Sequence, residues 1–212
     1  MMQGHVAIAA VEQTDVTQIC DPISLEIIVG ALSSAQMEME TVLERTAMCP
    51  FIKEKKDYLA AFYDAEGKMV AGTVLPIFGQ VVEPILEFYP LESMQPGDLY
   101  WYSDCYQSKG AVSHNSDQVI VAPVFVEGQI RAFSQTWAHL MDVGGMRAGS
   151  LSPDATEIFQ EGMIIPPVRI GRDGVINNEL MRLFERNSRF PDMLRGDMRA
   201  LFAATRLGGV DG

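Results

Sequence analysis

Hydrophobic and polar positions change period several times along this chain, and each change marks an element. From Asp21, "DPISLEIIVGALSSAQMEMETVLERTAMCP" sets Leu25, Ile28, Leu32, Ala35, Met39, Val42 and Thr46 at three- and four-residue steps. That spacing makes one apolar stripe along a long helix. Asp21 offers a side-chain oxygen to the first unpaired N–H groups, and Pro22 suits the first helical position. Pro50 marks the stop.

From Tyr58 the period shortens. "YLAAFYDAEGKMVAG" reads as two strands around a tight Asp64–Gly67 turn. "FGQVVEPILEFYP" reads as a short helix interrupted at Pro84, and "QPGDLYWYSD" as a turn and an aromatic strand ending at Asp104. "DQVIVAPVFVEGQIRAFSQTWAHLMDVGG" predicts a strand over 118–126, a turn at Glu127–Gly128 and a strand over 129–138. Gly144 and Gly145 then break the pattern. The next stretch, "MRAGSLSPDATEIFQEGMIIPPVRI", carries turn residues, paired prolines and several carboxylates, and connections of that length are often functional or interfacial. "NNELMRLFERN" and "PDMLRGDMRALFAATRL" read as two closing helices, with Pro191 starting the second and Gly208–Gly209 after it. Residues 1–20 read as a loosely held arm and 21–212 as one unit. The sum is an α+β fold: a long N-terminal helix, β-hairpins forming a mixed sheet, and C-terminal helices.

Composition narrows the partners. A chain of 212 residues with 48% hydrophobic content suffices for one sizeable core. Its 16 basic residues face 28 acidic ones, a formal charge of −12, and the densest basic run is "KEKK" at 53–56. Neither a nucleic-acid surface nor docking on an anionic membrane fits that balance. The three cysteines, Cys20, Cys49 and Cys105, share no C-x-x-C spacing, which argues against a disulfide framework or a thiolate zinc site. "MMQGHVAIAAVEQTD" has no basic leader and only a short apolar run, so a cytoplasmic protein is expected.

The candidate chemistry lies in the histidines. The chain has 3, and two of them occur as His-x-x-Asp: His114 with Asp117, and His139 with Asp142. One such pair alone reads as a loop hydrogen bond. Here, however, the two histidines stand at nearly equal chain distances from the Glu127 turn, so a hairpin brings them together at its open end. Two imidazoles with one or two carboxylates suit Zn²⁺ or Mn²⁺, and three protein ligands leave a position open for water or substrate. A remaining aspartate can orient a ligating imidazole. Asp104 is a weaker candidate, since aspartates at strand ends are usually turn formers. Asp154, Glu157 and Glu161 line "SPDATEIFQEG", and Arg147 and Arg169 are candidates for holding an anionic substrate. No nucleotide-binding glycine loop and no G-x-S-x-G elbow is present.

With these segments in view, the chain resembles the hydantoinase B/oxoprolinase family. The stretches that carry the resemblance are "DPISLEIIVGAL", "ERTAMCPFIKEKKDYLAAFYDAEGKMVA", "PGDLYWYSDCY", "GAVSHNSDQVIVAPVF", "AHLMDVGGMRAGS" and "ATEIFQEGMIIPPVRI". The resemblance implies metal ligands at His114, Asp117 and His139, with Asp142 accepting a hydrogen bond from a ligating imidazole or a bound water. It also implies a fragment of a larger subunit, completed by the remainder of that subunit and by a hydantoinase A-like subunit that uses ATP. The implied reaction on a small-molecule substrate is hydrolysis of a cyclic amide such as a hydantoin, oxoproline or lactam. ATP-dependent carboxylation of a ketone, or a non-catalytic assembly module, are the alternatives.

Overall fold

The computed structural model describes residues 21–73, 79–149 and 151–209; the N-terminal arm, with His5 and Cys20, lies outside them. Helix α1 runs Pro22–Thr46 and a short α2 runs Pro50–Lys53. The Asp21 carboxylate caps α1, accepting from the N–H groups of Ile23 at 3.1 Å and Ser24 at 3.0 Å. Strands β1 (Tyr58–Asp64) and β2 (Met69–Gly72) form the first hairpin. Helix α3 covers Glu83–Phe88. Pro84 sits in its first turn, so it begins this helix where an interruption was expected; the missing N–H costs nothing there.

Strand β3 (Leu99–Tyr102) precedes the long hairpin of β4 (Asp117–Val126) and β5 (Gln129–His139). A third, smaller hairpin, β6 (Val168–Arg172) and β7 (Val175–Ile176), lies where the sequence offered only turn residues and prolines. Helices α4 (Asn178–Arg186) and α5 (Pro191–Gly208) close the chain. The sheet order is β2-β1-β5-β4-β3-β6-β7, and every pairing in it is antiparallel.

Both faces of this sheet are covered. Tyr58, Ala60, Phe62, Trp101, Ile120 and Ala138 face one apolar layer with Met39 and Leu43 of α1, Phe184 of α4 and Leu201 of α5. Leu59, Ala61, Tyr63, Tyr100, Tyr102, Val119 and Val121 face the other, with Val82 and Ile85. Antiparallel sheets commonly leave one face wet and alternate in sequence. Here the double cover explains near-continuous apolar runs such as "LYWY", all four residues of which are buried. Helix α5 lies close against β5 through small polar groups: Ser134 Oγ donates to the Thr205 carbonyl at 2.8 Å, and Thr136 Oγ1 to that of Leu201 at 3.2 Å.

The predicted stripe on α1 is buried only in part. Met39 is fully buried, and Leu32, Ala35 and Val42 pack at the margin of the core. Leu25 and Ile28 remain 48% and 50% exposed, with Ile23, Ile27 and Val29 exposed beside them. Among the described residues nothing covers this half of the helix.

Candidate metal centre

The open end of the β4–β5 hairpin gathers the site. The ladder sets Asp117 directly opposite His139, where the spacing from the turn had put His114. A β-bulge between Val124 and Phe125 shifts the register, and a tight turn then supplies the missing histidine. Asp117 N–H donates to the His114 carbonyl at 3.2 Å, folding the His114 ring back over the strand end.

Three donor atoms meet there. His114 Nε2, His139 Nδ1 and Asp117 Oδ1 stand 3.0 Å from one another on all three sides. Protons alone satisfy such a triangle poorly, because each ring nitrogen offers either one N–H or one lone pair. An ion bound at about 2.0–2.2 Å holds its donors roughly 3.0–3.5 Å apart, so the spacing fits a shared divalent cation. Two imidazoles and one carboxylate are also an ordinary ligand set for zinc or manganese. Among the described residues this is the group of histidines, cysteines and acids close enough to hold a metal. Asp117 and His139 are buried, whereas 22% of the His114 side chain is exposed, so the centre opens on the His114 side.

Neighbouring residues fix these rings. Ser113 Oγ lies 2.9 Å from His114 Nδ1 and engages the nitrogen that faces away from the triangle. Phe51 packs edge-on against His139 with centroids 4.8 Å apart. Beneath the turn, Trp101 Nε1 donates to Gln118 Oε1 at 2.7 Å, and Gln118 Nε2 donates to the Asn115 carbonyl at 2.6 Å. Burial works against charge on His114, but the hydrogen bond and charge of Asp117, with Glu161 and Asp57, outweigh it and raise the pKa.

The remaining candidates separate clearly. Asp142 is buried, but Oδ2 accepts from Arg189 N at 2.6 Å and Ser188 Oγ at 3.3 Å, while Oδ1 accepts from Arg189 Nη1 at 2.7 Å. It therefore ties the glycine turn after His139 to the α4–α5 connection. Asp104 is a turn former: Oδ1 accepts from the N–H groups of Tyr106 at 2.8 Å and Gln107 at 3.1 Å. Arg147 pairs with Asp154 at the surface, and Arg169 on β6 pairs with Asp98 and lies over the Tyr89 ring. Burial, then the charges of Glu161, Asp117 and Asp104, push the Cys105 thiol up to about 12, which leaves little thiolate for a nucleophile.

Sequence reasoning missed Ser113, Asn115, Gln118 and Arg189. The first three flank His114 and Asp117 in the sequence and read as ordinary turn and strand residues. Arg189 is 47 residues from Asp142, so no local pattern connects them.

Comparison with known proteins agrees with this architecture. Caprolactamase subunit beta of Pseudomonas jessenii is 31% identical over 194 residues, covering 89% of this chain and 32% of its own length. The crystal structure of the ATP-dependent caprolactamase from Pseudomonas jessenii superimposes with a TM-score of 0.77 at 28% identity, over 90% of this chain and 33% of that one. Acetophenone carboxylase delta subunit of Aromatoleum aromaticum is 29% identical, covering 91% of this chain and 28% of its own length. The Hydantoinase B/oxoprolinase model matches residues 21–210, and the chain belongs to that family. It spans about a third of the length of these relatives.

Proposed function

We propose that the chain is the metal-bearing part of a hydantoinase B-like subunit that takes part in ATP-dependent hydrolysis of a cyclic amide. The observation that carries this reading is the triangle of His114, Asp117 and His139, three convergent donors with 3.0 Å sides. A divalent ion, Zn²⁺ or Mn²⁺, would polarise a carbonyl or activate a water at its open position. This chain's residues hold the donors rigid: Ser113 orients one ring, Phe51 buttresses the other, and the Trp101–Gln118–Asn115 relay fixes the turn between them. Burial of Asp117 and His139 keeps water from their side, and a small substrate enters from the His114 side. ATP use falls to a hydantoinase A-like partner, as this chain carries no phosphate-binding glycine loop.

The test is turnover of hydantoin, oxoproline and caprolactam by the chain assembled with an A-like subunit and the remainder of its own, with and without ATP. Ring opening that requires both ATP and an intact triangle supports the reading. The acetophenone carboxylase relative favours a second one, in which the same centre serves ketone carboxylation. Bicarbonate-dependent carboxylation without amide cleavage would select it. The uncovered half of α1 favours a third, a module whose task is assembly; complex formation with neither metal nor turnover would select that.

A further inference from the structure

The loop that carries Glu161 is fastened from two sides to the segments that bear the centre. Asn115, which lies between the ligands His114 and Asp117, donates through Nδ2 to the carbonyls of Ile158 at 3.2 Å and Gly162 at 3.3 Å, on either side of Glu161. The segment after His139 grips the same loop. Met146 N–H donates to the Gln160 carbonyl at 2.8 Å, and Met163 N–H to that of Val143 at 2.9 Å. The fit leaves no room for side chains at the crossing. A Cβ on Gly162 would stand 2.7 Å from the Val143 carbonyl oxygen, and one on Gly145 would strike the Gln160 carbonyl. Both glycines also have positive φ, 132° and 80°.

The carboxylate so positioned is incomplete. Its Oε2 is buried and has no hydrogen-bond partner. A buried acceptor of this kind is costly unless something pairs with it, and more so when it is charged. Its charge is felt by His114 and by Cys105. Yet it stands apart from the cluster in which every donor atom lies within 4.8 Å of the others. Glu161 is therefore not one of the donor atoms that share the triangle.

We propose that Glu161 is the acceptor on the open side of the metal centre, taking a hydrogen bond from the water or amide N–H that occupies the position left free by His114, Asp117 and His139. The inference rests on the metal-centre reading above. It makes Glu161 a positioning residue, acting on the ligand at the metal and not on the metal itself. The chemistry it selects is a ligand with a donor beside its metal-binding oxygen, which a water and a cyclic amide share.

The experiment is Co²⁺ binding to the full chain, read by competition affinity and by the visible absorption of the bound ion. Glu161→Gln is compared with Asp117→Asn, with the exposed Glu157→Gln as control. Glu161→Gln is expected to weaken Co²⁺ by about 10- to 100-fold, the usual loss when a partner of a bound ligand is removed. Its band pattern should stay that of the parent, and its melting temperature without metal should not fall. Glu161→Asp keeps the charge and should recover part of the affinity, and Glu157→Gln should match the parent. Affinity within twofold of the parent in Glu161→Gln overturns the proposal. So does a band pattern altered in the manner of Asp117→Asn, which would make Glu161 a direct ligand. A parent chain that takes up no Co²⁺ removes the centre itself, and the proposal with it.

Discussion

The two His-x-x-Asp stretches have the same spacing and opposite fates. In the first, a backbone turn closes between His114 and Asp117, and the carboxylate comes back to the imidazole at 3.0 Å. In the second, His139 is the last residue of β5, and the chain runs on through Leu140, whose N–H donates to the Ser116 carbonyl at 2.9 Å. Asp142 is thereby carried past the centre to Arg189. Three residues of spacing bring side chains together only when the backbone turns. The same motif supplies two converging groups in one place and one donor plus a structural anchor in the other.

The comparison breaks most decisively at the histidines. His139→Ala and His114→Ala should each reduce bound metal from roughly one ion per chain to little or none, since either leaves only two donors of a site that needs at least three. Elemental analysis of the purified chains decides it, and full metal content in both variants rules out the assignment. Asp117→Asn comes next. Its geometry is retained but its charge is lost, so affinity should fall by more than the ~10- to 100-fold typical of residues that only touch a ligand. An affinity within tenfold of the parent would place Asp117 outside the coordination sphere.

The fold and the site were legible to different depths. The capped start of α1, the β1–β2 turn and the β4–β5 hairpin follow from local chemistry, and the hairpin alone brings the two histidines together. What the sequence hid was non-local. The ladder that starts at Val126–Gln129 would by itself put Ser116 opposite His139, and the bulge at Val124–Phe125 moves the partner one residue on, to Asp117, a slip that no spacing rule anticipates. The β6–β7 hairpin is short and begins just after Pro166 and Pro167, so its strands carry little alternating signal. On α1 the apolar stripe is real, but half of it meets no partner among the described residues. A stripe in sequence reports that a face is apolar, not what covers it. The pairing of Asp142 escaped the sequence for a related reason: its spacing from His139 is local, while its partner Arg189 comes from the connection between α4 and α5.

Ser113 offers a finer test of the first stretch. Its hydroxyl engages His114 Nδ1 and thereby keeps Nε2 turned to the triangle. Because Ser113 is exposed, water can replace it in part. Ser113→Ala should therefore weaken metal by only a few-fold, at or below the lower end of the ~10- to 100-fold range. Isothermal titration with Zn²⁺ resolves that difference. A loss as large as that of Asp117→Asn would mean that the ring depends on this hydroxyl alone.

The smallest effect on the metal should come from Asp142, and there the two stretches are most sharply opposed. Both carboxylate oxygens are taken by Arg189 and Ser188, and the Asp142 side chain is 1% exposed against 41% for Arg189. Asp142→Asn keeps one oxygen acceptor but loses the charge that draws the guanidinium. Hydrogen bonds to charged groups contribute about 1.5–3 kcal/mol, and the half-open arginine is partly screened by solvent, so a loss of about 1–2 kcal/mol is expected. Urea unfolding should record this as a lower midpoint with an unchanged slope. Metal affinity should stay within a few-fold of the parent. Arg189→Met should act in the same direction, since it leaves Asp142 as a buried carboxylate with reduced pairing, and should again spare the metal. If Asp142→Asn instead strips the metal at unchanged stability, the second stretch acts at the centre as the first does, and the contrast between them fails.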